Sequence, residues 1–182
     1  MCSGLETLLR RMPCWYLLIL VGLFLAGSRA FQWRADELGQ PALDTRFGYT
    51  PEDVTDFLKK ICPKGRRLYA ATQLTLDLVF PLVYGAFLGR ILVSVFRTEL
   101  ARYLLLIPLL AVAADWSENV ATAILALNFN GEAAPPLLAY AAAGYTLTKW
   151  ILLFAYGPIL FAGLILALVR WILCRFFQPP PE

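Results

Sequence analysis

The sequence contains no histidine, and its four cysteines are spread along the chain as Cys2, Cys14, Cys62 and Cys174. The missing histidines exclude histidine metal ligands, His-based catalytic triads and imidazole proton shuttles. No two cysteines form a C-x-x-C pair, so zinc and dithiol redox motifs are not supported. We assign no cofactor, and we expect no intrachain disulfide because Cys62 alone falls on the predicted outer side of a membrane.

Charge is also scarce, at 16% of residues, whereas 59% are hydrophobic. Soluble domains carry about a quarter charged residues, so composition places the chain among integral membrane proteins. Residues 1–182 leave too little polar sequence for a separate soluble domain. The formal charge of +3 is small, and basic residues cluster at helix ends. We therefore expect the lipid bilayer as a partner, and no nucleic acid.

Four apolar segments approach or exceed the ~20 residues needed to cross a bilayer as a helix. They cover residues 12–33, 68–96, 103–127 and 137–172. The predicted fold is all-α, a four-helix transmembrane bundle. Within the first segment, the apolar run 14–26 is followed by Ser28-Arg29-Ala30, and this part also resembles a cleavable signal peptide. We favour a retained span, because aromatic residues flank both of its ends.

Residues 34–67 are predicted to form an outer-side loop and a short amphipathic helix, which either lies on the membrane surface or covers the bundle. Thr50 can cap a helix, Pro51 suits its first position, and Asp53 completes a capping box. The following apolar residues repeat on one face. Before this helix, we expect Asp44 and Arg46 to be solvated.

The distribution of basic residues predicts that both termini are cytoplasmic. The predicted cytoplasmic segments carry Arg10, Arg11, Arg90, Arg97, Arg102, Arg170 and Arg175, and the third connection carries no lysine or arginine. One observation disagrees, because residues 34–68 also contain seven basic residues. The predicted location is the bacterial cytoplasmic membrane.

Polar residues form one stripe in each of the last three segments, and their depths along the helices agree. The candidate site therefore combines these stripes into one buried polar cluster: Asp77, Tyr84, Asp115, Glu118, Asn119, Tyr145, Lys149 and Tyr156. Intramembrane ionisable residues face a protein interior or a wet cavity. We expect Lys149 to pair with Asp115 or Glu118, and Pro81 to kink its helix by removing a hydrogen bond to Asp77.

Small residues predict close helix contacts elsewhere. Gly85 and Gly89 form a G-x-x-x-G seam in the second segment. The last segment offers similar positions at Ala139, Ala143, Gly144, Gly163 and Ala167.

Four hypotheses fit the cluster. The leading one is a structural network that fixes the helix register. Another is an intramembrane enzyme with a carboxylate pair acting as acid and base, although no catalytic residue can be assigned. A site for an oxygen-ligated metal is weakened by the nearby Lys149, so no metal is assigned. A proton- or solute-coupled carrier is the fourth. Ser117 is expected to point away from the cluster.

Three motifs carry a resemblance to a known group: Leu43-Asp44-Thr45-Arg46-Phe47-Gly48-Tyr49, Leu76–Tyr84, and Asp115 with Glu118-Asn119. They resemble an uncharacterised group of small four-span bacterial membrane proteins. The resemblance implies the fold and no activity. The predicted function is a non-enzymatic accessory or assembly subunit of a larger membrane complex, with other membrane subunits or a second copy as partner. The alternative is an acid/base enzyme or carrier that uses Asp77, Asp115, Glu118 and Lys149.

Overall fold

The computed structural model describes residues 2–13, 15–96 and 99–176, with side chains described between residues 4 and 169 of those ranges. Predictions about several residues named above stay predictions, because their backbone or side chains lie outside this part of the chain. These residues are Cys2, Cys14, Arg97, Arg170, Cys174 and Arg175.

Every regular element among the described residues is helical. The helices are α1 (Cys2–Arg11), α2 (Trp15–Leu38), α3 (Pro51–Lys60), α4 (Pro63–Gln73), α5 (Leu76–Val95), α6 (Leu100–Leu104), α7 (Leu106–Leu127) and α8 (Pro136–Phe176), with a 3₁₀ turn at Leu43–Thr45. The predicted all-α class is confirmed. The bundle arrangement and the surface position of the amphipathic helix stay predictions.

Four helical stretches are long and apolar enough to cross a membrane: Trp15–Leu38, Pro63–Val95, Leu100–Leu127 and Pro136–Val169. They fit a multi-pass membrane protein. The first stretch runs past the predicted end at residue 33. The second begins before residue 68, and the third begins before residue 103.

The end of α2 corrects the predicted start of the loop at residue 34. Gly39, with a φ of 69°, follows the last helical residue. Its N–H donates to the carbonyl of Asp36, and the N–H of Gln40 donates to the carbonyl of Ala35. These two bonds form a Schellman motif, which requires a left-handed residue that glycine supplies without strain. Arg34 consequently lies inside α2.

The second stretch is interrupted, but not at Pro81. Helix α4 ends at Gln73, and α5 begins at Leu76 and continues through Pro81. At the break, the Thr75 hydroxyl donates to the carbonyl of Ala71. Threonine readily satisfies backbone carbonyls with its own side chain, which competes with regular helix.

Helix α7 packs against α4, α5 and α8, whereas α2 packs mainly against α5 and α4. At one end of the protein, which we call the loop end, α3 contributes Val54, Phe57 and Leu58 to an apolar core shared with α4, α7 and α8. The capping box predicted for α3 is present, with Thr50 and Asp53 bonding each other's backbone N–H. Because its apolar face is buried in the protein, α3 helps to cover the loop end.

The opposite end, which we call the terminal end, holds α1. The predicted segments begin at residue 12, so this helix is additional to them. Leu9 of α1 is buried with Leu92 and Val93 of α5. The Arg10 guanidinium donates to the carbonyls of Val93 and Phe96 at distances of 2.6 and 2.9 Å, and thereby satisfies carbonyls at the end of α5.

Candidate functional site: a buried polar cluster beside an apolar cavity

The cluster is built around the polar face of α7. Asp115, Glu118, Asn119 and Thr122 are all buried on that helix, and their spacing places them on one side of it. Helix α8 faces this side together with α4 and α5. The structure therefore brings together residues from three of the stretches in which we predicted polar stripes.

Lys149 of α8 holds two carboxylates of α7. Its ammonium lies 3.1 Å from Asp115 Oδ1 and 2.7 Å from Glu118 Oε2. Tyr84 of α5 donates to the other oxygen of Asp115 at 2.9 Å. The Thr146 hydroxyl donates to Glu118 Oε1 at 2.5 Å and lies 3.1 Å from the Tyr49 hydroxyl. The predicted partners of Lys149 thus both bind it.

A second buried cation, Arg34, was not predicted. It is 1% exposed, and its Nη2 donates to both oxygens of Asp44 at 3.1 and 2.9 Å. Its Nη1 lies 3.1 Å from Gln73 Oε1 and 3.4 Å from Asp77 Oδ2. The expectation that Asp44 is solvated is therefore wrong, because that side chain is buried. The turn at Leu43–Thr45 folds over α2 and carries Asp44 to the guanidinium.

Direct hydrogen bonds tie α7 to α4 and α5. Gln73 donates to Thr122 Oγ1 at 3.1 Å and to the Tyr69 hydroxyl at 3.0 Å. Asn119 donates to the backbone carbonyl of Asp77 at 2.6 Å. This is the carbonyl that Pro81 cannot satisfy, because proline has no N–H. Asn119 therefore supplies the hydrogen bond that the proline removes.

Two of the predicted cluster residues lie elsewhere. Tyr145 lies one helical turn before Lys149 on α8, but it is 40% exposed, so it is not buried with the cluster. Tyr156 is buried, but its hydroxyl donates to the carbonyl of Leu88 at 2.7 Å, among the apolar residues of the terminal end. Ser117 donates to the carbonyl of Ala113 in its own helix.

Thr146 and Arg34 were not predicted as members of the cluster, although the sequence contains weak signals for both. Thr146 shares a buried face of α8 with Ala139, Ala142 and Lys149, and that alanine-rich spacing points to Thr146 rather than Tyr145. Arg34 follows the buried Leu20 and Gly27 at intervals of seven residues on α2. The glycine and proline after Leu38 are helix-stop signals, and they would have placed Arg34 inside the helix.

The buried charges do not balance. The described part of the chain buries four carboxyl groups, from Asp44, Asp77, Asp115 and Glu118, and two cations, from Arg34 and Lys149. Each cation already contacts two of the carboxyl groups. Two carboxyl groups are therefore in excess, and they need protons or a positively charged group to offset the cost of burying their charge.

Outside the spanning stretches, the environment of the cluster shifts the pKa of two groups, Asp44 and Tyr49. Burial alone would raise the pKa of Asp44, but the nearby charges of Arg34 and Lys149, together with hydrogen bonding to the carboxyl group, outweigh burial, so the pKa lies below its usual value. Burial raises the pKa of Tyr49, and the Glu118 carboxylate adds to the shift. Asp44 is consequently ionised at neutral pH, whereas Tyr49 keeps its proton.

A cavity of about 510 Å³ adjoins the cluster, which is within the range of small-molecule sites. Its polar wall consists of Arg34, Asp44, Thr45, Asp77, Tyr84, Asp115 and Lys149. The remainder of its lining is apolar: Val21, Phe24, Phe31, Phe80, Phe87, Leu88, Trp150 and Leu153. Glu118 does not line it. The cavity thus has one charged end and one hydrophobic end.

The cavity extends along the helices and opens sideways. From Asp77 to Leu88, α5 rises about 16 Å, at ~1.5 Å per residue, which is roughly half of the ~30 Å hydrocarbon thickness. Val21 and Phe24 line the cavity and are themselves exposed. An opening on this surface of a spanning helix gives access from lipid.

Three buried polar atoms of the described residues have no hydrogen-bond partner: Arg34 Nε, Asn119 Oδ1 and Trp150 Nε1. Arg34 and Trp150 also line the cavity, so two buried donors of its lining have no partner. Among the described residues, no three Asp, Glu, Cys or His side chains are grouped so as to hold a metal ion. The weakly held metal hypothesis therefore gains no support.

The chain matches no protein-family model, no curated protein and no solved structure. The implied membership of a four-span bacterial group accordingly stays an expectation. What the site can do must be argued from its own geometry.

Proposed function

We propose that this protein binds an amphiphilic molecule that enters its cavity from the bilayer. The observation that carries this proposal is the division of the cavity lining into a charged end and a hydrophobic remainder. A lipid-like molecule has the same division. Its chain would lie beside Val21, Phe24 and Leu88, and its polar group would lie at Asp77 and Asp115.

Burial of the chain would provide most of the binding free energy in a water-exposed cavity, at about 25 cal/mol per Å². Inside a bilayer this contribution is small, because lipid tails are as apolar as the cavity lining. Selectivity must then come from the charged end, where hydrogen bonds and ion pairs act in a low dielectric.

A cavity-filling substitution tests the proposal. Val21→Trp places a large ring in the cavity lining, whereas Leu18→Trp puts the same ring on the lipid-facing side of α2, where Leu18 is exposed and not part of the lining. We expect the unmodified protein and Leu18→Trp to retain bound amphiphile in mild detergent, measured by native mass spectrometry. Val21→Trp should lose it several-fold at an unchanged melting temperature.

Two results would contradict the proposal. One is purified protein without any bound amphiphile, even after lipid is added back. The other is equal retention in Val21→Trp and Leu18→Trp.

An acid/base enzyme is the second candidate. It is supported by a chain of contacts that leads from the cavity to the loop end: Tyr84, Asp115, Lys149, Glu118, Thr146 and Tyr49. Such a chain could move a proton to or from a bound molecule. The role favoured by the sequence, an accessory subunit of a larger complex, stays a prediction whose test is stoichiometric co-purification of other membrane proteins.

A further inference from the structure

The excess of buried carboxyl groups indicates which amphiphile fits the cavity. Asp44, Asp77 and Asp115 line it together with only two cations, Arg34 and Lys149. Both cations are already engaged, since Arg34 contacts Asp44 and Asp77 while Lys149 contacts Asp115 and Glu118. Neither cation is free to neutralise an anionic ligand, whereas the carboxyl groups outnumber the two cations.

Some aromatic rings of the lining lie directly beside its charged and polar residues. Phe31, Phe80, Tyr84 and Trp150 belong to its lining, and rings attract cations that lie over their faces. The Arg34 guanidinium already lies 4.8 Å from the centre of the Phe31 ring. Carboxylates combined with aromatic faces are the chemistry that recognises an organic ammonium group.

The unpartnered Nε of Arg34 adds a second requirement. This atom belongs to a side chain that is 1% exposed and lines the cavity. A buried donor without a partner costs about 1–3 kcal/mol, so a ligand oxygen that accepts from it would remove that cost. The head group that fits therefore carries an ammonium, and an acceptor oxygen close to the ammonium would also satisfy this donor.

We propose that the cavity selects amphiphiles with a positively charged amine at the polar end, such as long-chain amines and amino alcohols. The ammonium binds between Asp77 and Asp115, and the hydrocarbon chain extends toward Val21 and Leu88. This inference rests on the proposed function, because it names the class of amphiphile that the same cavity takes.

Three probes with the same chain test it: stearylamine, stearyl alcohol and stearate. Their binding to the purified full-length protein is measured by isothermal titration in detergent at pH 7. We expect stearylamine to bind at least tenfold more tightly than stearyl alcohol, and stearate to bind most weakly of the three.

Thr45 offers a matched pair of variants, since it lines the cavity and is exposed. Thr45→Lys adds a positive charge at the polar end, whereas Thr45→Gln adds similar bulk without charge. We expect Thr45→Lys to weaken the binding of stearylamine at least tenfold relative to Thr45→Gln. The affinity for stearyl alcohol should differ by less than threefold between the two variants.

The outcomes separate the two proposals. If all three probes bind within threefold of one another, or if stearate binds best, the amine preference is wrong and the cavity still binds amphiphiles. If Thr45→Lys does not weaken stearylamine, the charged end is not where the amine binds, and the amine preference again fails. If no probe binds to the folded protein, the proposed function itself is wrong.

Discussion

At the scale of single residues, Lys149 of α8 provides the positive charge that pairs with two buried carboxylates of α7. Its ammonium is the shared partner of Asp115 and Glu118, and all three side chains are almost completely buried. A buried ion pair adds little net stability compared with apolar residues of the same volume. Removing only one partner is costly, because it leaves uncompensated charge in a low dielectric.

Lys149→Met is therefore expected to destabilise the protein by about 3–5 kcal/mol. Methionine retains most of the volume of lysine and removes the charge. The melting temperature of the detergent-purified protein, followed by circular dichroism, measures the loss. Adding Asp115→Asn and Glu118→Gln to this variant should restore part of the stability, because the unpaired carboxylates are then gone.

Lys60→Met is the control, since Lys60 is exposed at the end of α3 and should change the melting temperature by little. If Lys149→Met were as stable as this control, the network would not hold α7 and α8 together. The structural hypothesis for the cluster would then be wrong.

Some residues of the cluster could be predicted from the sequence, and others could not. Asp115, Glu118 and Lys149 were predictable because charges inside apolar segments must face one another. The Arg34–Asp44 pair was not, because it joins the end of a span to a loop that looked solvent-exposed. Whether such a loop lies in water or covers a buried guanidinium depends on its fold, and the periodicity of neighbouring helices does not reveal that fold.

At the scale of helices, local sequence signals indicate where helices begin and end better than the lengths of the apolar segments do. The Thr50–Asp53 capping box begins α3 as predicted. The end of α2 obeys an equally local rule at Gly39, which we overlooked because apolar composition alone set the predicted boundary. The packing of α1 depends on tertiary contacts with α5, so composition alone could not reveal it.

Close packing of α5 on α7 depends on Gly85, as the predicted seam requires. A Cβ atom added at Gly85 would lie 2.7 Å from Val112 Cγ2, and valine has little rotamer freedom in a helix. Gly85→Ala is therefore expected to destabilise the protein by about 1–3 kcal/mol through overpacking. Thermal unfolding in detergent measures this change.

Gly144 provides the matched control, and it corrects one prediction. It was expected to be a close-packing position, but a Cβ atom there would meet nothing within 4 Å. Gly144→Ala should be neutral or stabilising by up to about 1 kcal/mol, because alanine is the better helix former. Equal effects of the two substitutions would mean that α5 and α7 do not approach closely at Gly85.

For the whole molecule, four stretches are long and apolar enough to cross a membrane. If each crosses once, α1 and the end of α8 are expected on one side of the membrane and the loop end on the other. The predicted orientation has one observation against it, because residues 34–68 also carry basic residues. The structure adds a chemical marker for the loop end, since Cys62 is a free and exposed cysteine just before α4.

Cys62 is expected to react with a membrane-impermeant maleimide in intact spheroplasts, because the predicted orientation puts the loop end outside. Hydrogen bonding from the Gly65 N–H lowers the pKa of the Cys62 thiol, which raises the fraction of reactive thiolate. Mass shift of the purified protein measures the labelling.

The Cys62→Ser variant is the control, and it should abolish labelling in intact spheroplasts. After permeabilisation the same variant should become labelled through Cys2, Cys14 or Cys174, which the prediction places at cytoplasmic ends. Labelling of intact spheroplasts that persists in Cys62→Ser would mean that the termini face outward and that the basic residues of 34–68 decide the topology.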